Sequence, residues 1–127
     1  MRSYDVAVAA LVVNATVKWT DNLLSQHNIP QVISARRGIA RRITHPALIR
    51  IALIRQVHVG LGASVADSVR IAAHILDSGA PGVYESRQLM LVVDIKELER
   101  QLSERLAGVL ESAPSPRRGR PPGRPRT

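Results

Sequence analysis

The sequence contains no cysteine, which excludes disulfides and thiolate metal sites. It contains no phenylalanine, and aromatics make up only 2% of its 127 residues. A core must therefore come from Leu, Ile, Val and Ala, which suits small packed helices. So few rings also argue against unpaired RNA as a ligand, because bases would have almost nothing to stack on. No run of about 18 apolar residues occurs, so no membrane span and no membrane partner are expected. The opening Met1-Arg2-Ser3-Tyr4-Asp5 lacks the apolar run and small-residue cleavage site of a secretory signal. The expected location is cytoplasmic, associated with the nucleoid. The four histidines (His27, His45, His58, His74) show no i, i+4 pairing, so no metal or other cofactor is expected. Neither a nucleophile elbow nor a Gly-rich phosphate loop is present, and no catalytic residue is assigned. The expectation is a protein that is not an enzyme.

What is abundant is arginine. Of 18 basic residues only Lys18 and Lys96 are lysine, and the formal net charge is +8. Residues 31–60 hold six arginines (Arg36, Arg37, Arg41, Arg42, Arg50, Arg55) and no acid. Residues 61–100 are slightly acidic, and the C-terminal segment is again basic. Guanidinium groups meet phosphates and base edges with a planar fork, and counterion release gives sequence-independent affinity for a polyanion.

Hydrophobic residues make up 45% of the chain. Residues 4–13 are apolar nearly throughout; alanine favours helix there and valine favours strand. Thr16 is placed to cap a second helix over about 17–27, with Val17, Trp19, Leu23 and Leu24 near one face. Pro30 lies beyond its end. Residues 31–44 have β-branched residues on both sides of Gly38 and predict a hairpin with its tip at Arg36-Arg37-Gly38. Pro46 suits the first turn of a helix over about 46–59, stopped by Gly60 and Gly62. Ser64 with Asp67 resembles a capping box and opens another helix, with Val65, Val69, Ala72 and Leu76 on one side. Residues 77–82 read as a loop and 88–93 as a short buried strand. Asp94 with Glu97 forms a second capping box. It opens a helix over 95–111 with an apolar stripe of Ile95, Leu98, Leu102, Leu106 and Val109. Such a stripe requires cover, from the domain or from a partner. Beyond 111, Ser, Pro, Gly and Arg dominate, and a disordered tail is expected.

Helix, break, helix, basic hairpin is the order of a winged helix-turn-helix. In that arrangement the second helix enters the major groove, bringing Thr16, Lys18, Trp19 and Asn22 to the DNA. The hairpin lies along phosphates or the minor groove. For Trp19 a second role stands open, as the one large core anchor.

A family resemblance points the same way. Residues 37–44, 47–56 and 60–69 carry a wing ending in an Arg-aliphatic strand, a helix with the rhythm L-x-x-I-x-x-L/I-R, a glycine and a short capped helix. Over residues 5–76 the chain resembles the N-terminal domain of MerR-type regulators. The resemblance implies a winged helix-turn-helix that binds operator DNA as a homodimer. Thr16, Lys18 and Trp19 would then belong to the recognition helix, and Arg36, Arg37, Arg41 and Arg42 to the wing. In place of the family's long dimerisation helix stand a strand-like run and a helix of moderate length.

The tail adds a second motif. Arg118-Gly119-Arg120-Pro121 matches the core of an AT-hook, Gly123-Arg124-Pro125 half repeats it, and Arg126 follows as a further basic contact. Gly and Pro keep such a segment thin enough for a narrow minor groove, with arginines pointing along its floor. The expected fold is mainly α: a winged helix-turn-helix domain (1–83), then a strand and amphipathic helix (84–111) for packing or dimerisation, then the tail (112–127). The expected function is a transcriptional regulator or architectural protein on double-stranded DNA. Alternatives are a protein-interaction module such as an antitoxin, docking a partner through residues 95–111, or an excisionase-like DNA-bending factor.

Overall fold

A computed structural model describes residues 2–34, 38, 40–79 and 81–112. The described part is mainly helical, with two small antiparallel sheets. The first sheet is built from β1 (Ser3–Tyr4), β2 (Val32–Ile33) and β3 (Arg42–Thr44), in the order β1-β3-β2. Between β1 and β2 lie α1 (Val6–Val12) and α2 (Val17–Gln26). After β3 come α3 (His45–Leu61), α4 (Val65–Asp77), a hairpin of β4 (Val83–Ser86) and β5 (Leu89–Val92), and α5 (Ile95–Ser112).

Each helix starts where a short polar side chain takes up an orphan backbone N–H. Asp5 Oδ1 accepts from Val8 N at 2.9 Å, and Thr16 Oγ1 accepts from Trp19 N at 3.0 Å. Ser64 Oγ accepts from Asp67 N at 3.0 Å, and Asp94 Oδ1 accepts from Glu97 N at 3.1 Å. Thr44 caps α3, with proline in its first turn. The apolar N-terminal run is thus resolved as a helix, because Asp5 caps it. Gly60 does not stop α3; the helix runs through it to Leu61, and Gly62, at φ 75°, is the cap.

The core is organised around α3. Ala47, Leu48, Ile49, Ile51, Leu53, Ile54 and Val57 are all buried, so this helix is covered on nearly every side. α4 packs on α3, with Ala72 and Ile75 fully buried. The stripe expected on α4 is offset. Ala72 lies deepest as expected, together with Ser68 and Ile75, while Val65, Val69 and Leu76 flank them. Ser68 is tolerated there because its hydroxyl donates to Ser64 O at 2.7 Å. α2 is offset in the same way: Val17 is exposed, whereas Thr20 is buried and donates to Thr16 O at 3.0 Å.

α5 packs against α1 and α3, and Leu102 and Leu106 join the same core cluster as Ala9, Val12 and Ile54. Arg105 Nη1 donates to Val12 O at 3.1 Å, pinning the two helices together. Its apolar stripe is therefore covered by the chain itself.

Residues 89–92 do form a strand, but not a buried one. Leu89, Met90 and Val92 are 59–69% exposed, because β5 pairs only with β4 in a two-stranded sheet at the surface. β4 was not legible beforehand; its sequence Val-Tyr-Glu-Ser carries little pattern of its own. A tight junction holds this hairpin to the domain. Gly82 N donates to Ile75 O at 2.8 Å, and Gly82 O accepts from Val93 N at 2.7 Å. Gly82 has φ +91°, and a Cβ there would lie 2.8 Å from Val93 O. Gly82→Ala is therefore expected to cost about 2–3 kcal/mol, since both the backbone angle and the carbonyl oppose a side chain. Urea denaturation of the purified variant measures this; a midpoint equal to that of the parent would refute it.

Among the described residues, no helix is long and apolar enough to cross a membrane.

Candidate nucleic-acid interface

α1 and α2 are joined by the four residues 13–16, of which Asn14 adopts φ 59°. Ala15 N donates to Ala10 O at 2.9 Å, closing that turn. The helix that follows exposes Val17, Lys18, Asp21, Asn22, Ser25 and Gln26, six positions on one side of a helical surface. Leu23 and Thr20 turn inward on the other side.

Beside this helix stands the hairpin of β2 and β3, with Val32 opposite Ile43 and Ile33 opposite Arg42. Gly38 has the positive φ that the tip was expected to need. Arg36 and Arg37 lie outside the described residues, as do Arg118, Gly119, Arg120, Pro121, Arg124 and Arg126.

The sequence-derived contact residues separate into distinct roles. Lys18 and Asn22 are exposed on α2. Thr16 is exposed, and its hydroxyl is used in the cap. Trp19 is half-buried and turned toward α3. Its ring stacks on His58 with centroids 6.0 Å apart and planes at 24°, and the Arg55 guanidinium carbon sits 4.7 Å from its centroid. Arg55 also donates to Asn14 O at 3.2 Å, and His58 Nδ1 lies 2.7 Å from Ala63 O. This stack ties the α1–α2 turn to α3, so the structural role of Trp19 has direct contacts behind it.

The arginines of residues 41–55 are engaged within the chain. Arg41 Nη1 pairs with Asp21 Oδ1 at 3.0 Å, joining the hairpin to α2. Arg42 donates to Ser3 O at 2.8 Å and to Ser3 Oγ at 3.2 Å, joining β3 to β1. Arg50 pairs with Asp77 at 2.7 Å. Elsewhere, Arg70 meets Asp67 at 2.7 Å, and Arg100 bridges Glu97 and Glu104 at 2.7 and 2.6 Å. The Arg70 hydrogen bond holds the Asp67 carboxyl below its ordinary range, and that of Arg100 does the same for Glu97.

The net charge can now be located. All ten acidic residues fall among the described residues, together with eleven of the 18 basic ones. The described body is close to electrical balance. The surplus is carried by Arg36 and Arg37, which lie between β2 and β3 in sequence, and by Arg117, Arg118, Arg120, Arg124 and Arg126 near the C-terminal end.

Sequence reasoning passed over two features. One is Asp21, the only acid between Asp5 and Asp67; that isolation in a basic stretch was the available signal. The other is an apolar surface. Leu61 at the end of α3 is 62% exposed. Leu61 and Val92 line a groove shared with Leu53, Leu91 and Leu98. No periodicity announces this surface, because it is assembled from three elements.

Among the described residues, no three His, Asp or Glu side chains are grouped to hold a metal ion. Comparison of the chain with family models, with curated proteins and with solved structures found no match.

Proposed function

We propose that this chain binds double-stranded DNA as a winged helix-turn-helix protein of MerR type, with a basic tail as a second binding module, and that it acts in transcriptional regulation or local DNA architecture. The observation that carries this reading is the segregation of charge. Beside a nearly balanced body, the excess positive charge falls on Arg36 and Arg37, between β2 and β3 in sequence, and on a Gly/Pro-rich terminal segment. Seven arginines so gathered are expected to dominate affinity through phosphate neutralisation. Supporting it is α2, whose side with Lys18 and Asn22 is exposed and which is joined to the hairpin through Asp21 and Arg41. In this reading α2 enters the major groove, and Lys18 and Asn22 face base edges or phosphates. Arg36 and Arg37 follow the backbone, and the tail lies in the minor groove.

The test is fluorescence anisotropy of the full chain on duplex DNA over a range of salt, with Arg36 and Arg37 both replaced by alanine in a second sample. Those two are better targets than Arg41 and Arg42, whose removal also breaks contacts within the fold. The double variant is expected to bind about tenfold more weakly, with a salt slope shallower by about 2. Equal slopes would remove the hairpin from the interface. Selection of bound duplexes from a random pool would then give the operator, if the protein has one.

A second reading, a protein-interaction module such as an antitoxin, is favoured by the apolar groove that the exposed Leu61 and Val92 line with Leu53, Leu91 and Leu98. It predicts that Leu61→Asp with Val92→Asp abolishes capture of a partner while leaving duplex affinity unchanged.

A further inference from the structure

Asp21 is the one carboxylate in a stretch of 61 residues between Asp5 and Asp67, and it is paired with Arg41, which immediately precedes β3. Its side chain is 57% exposed, and that of Arg41 only 24%. Together with Asp5, Val6, Ala7 and Ala40 they line an open cleft between α1, α2 and the hairpin. Asp5 Oδ1 in that cleft is bonded to Val8 N as the cap of α1. Asp21 makes no such cap; it stands on the same exposed side of α2 as Lys18 and Asn22.

Resting on the DNA-binding reading above, we infer that Asp21 is a specificity-determining residue that occupies Arg41 in the free protein, in the place a backbone phosphate would take. Both groups are anions that accept hydrogen bonds from a guanidinium fork, so one displaces the other in a single exchange. While Asp21 holds Arg41, the folded body offers a phosphate one cation fewer. Binding to arbitrary sequence is then held down. A site that rewards Lys18 and Asn22 with base contacts offsets the loss of the ion pair, whereas random DNA does not. The ratio of specific to non-specific affinity rises without any new contact to a base.

The experiment uses the full chain and a duplex of random sequence. Asp21→Asn keeps the size of the side chain and removes its charge. It is expected to tighten binding about three- to tenfold at low salt and to steepen the dependence of log affinity on log salt by about 0.9, the signature of one added phosphate contact. Arg41→Ala is expected to lower affinity, and in that background Asp21→Asn should change neither affinity nor slope. If Asp21→Asn strengthens binding equally with and without Arg41, the carboxylate repels DNA directly and the masking role is overturned. Unchanged binding by Asp21→Asn overturns it as well. If the parent protein shows no salt-dependent affinity for any duplex, the DNA-binding reading itself falls. That result differs from each of the others. Circular dichroism and the emission of Trp19, which neighbours this helix surface, verify that the variants stay folded.

Discussion

Removal of residues 114–127 is expected to weaken duplex binding about 100-fold and to flatten its salt dependence by about 4, without altering the helical content of the protein. Five arginines leave with that segment, and no acid leaves with them. The truncated chain is left with a body near charge balance and with Arg36 and Arg37. Two effects then act together. Each lost phosphate contact reduces counterion release, which lowers the slope. The loss of a tethered second module also removes its effective concentration, which lowers affinity further. Duplexes of alternating A·T and of G·C distinguish the two roles for the tail. An AT-hook-like tail loses more affinity on A·T upon truncation, since the narrow groove there is where thin, arginine-flanked segments bind best. Equal losses on both duplexes indicate a general phosphate binder. Unchanged affinity and slope on both would remove the tail from the binding machinery.

The largest effect on stability is expected from Leu48→Ala, at about 2–5 kcal/mol. Leu48 is fully buried in α3, in a core cluster with Ile43, Ile51 and Ile54. The cost has two parts: the lost transfer energy of one methine and two methyl carbons, and a cavity that rigid neighbours close only partly. Against the roughly 5–15 kcal/mol that holds a domain of this size together, such a loss is severe. It corresponds to a fall of roughly 10–25 °C in melting temperature. Val59→Ala on the same helix is the control. It is 62% exposed, so a change within about 0.5 kcal/mol is expected. Calorimetry on the two variants measures both; comparable losses would mean that α3 is not the centre of the core. By contrast, the exposed Arg70–Asp67 pair is expected to contribute little, because water and salt screen it.

Helix starts were the most legible part of the fold, for a local reason. A Thr, Ser or Asp followed by a helical run carries its own instruction, and Thr16, Ser64 and Asp94 all act as read. The cap at Asp5 belongs to the same class but was masked by the valines after it. Faces were less legible. Hydrophobicity alone placed Val17 inside α2 and overlooked Thr20, whose hydroxyl is satisfied by its own helix and so can be buried. The same holds for Ser68 on α4. The apolar run at 88–93 was legible as a strand but not as an exposed one, since burial depends on what packs against it. For the candidate site, the exposed positions Lys18 and Asn22 followed from the cap and the 3.6-residue repeat. The partners of Arg41, Arg42 and Arg55 did not, because Asp21, Ser3 and Asn14 are 20 to 41 residues away in the chain.

The bond from Arg105 to Val12 spans 93 residues, and it has a bearing on how the protein is made. While the ribosome is still adding α5, the first helix has no cover for the side that meets Leu102 and Leu106. The nascent chain must carry Val12 and its neighbours in contact with water until nearly the whole described sequence has emerged. Closure is therefore a late event, and a chain interrupted before Leu106 is a ready client for chaperones and proteases.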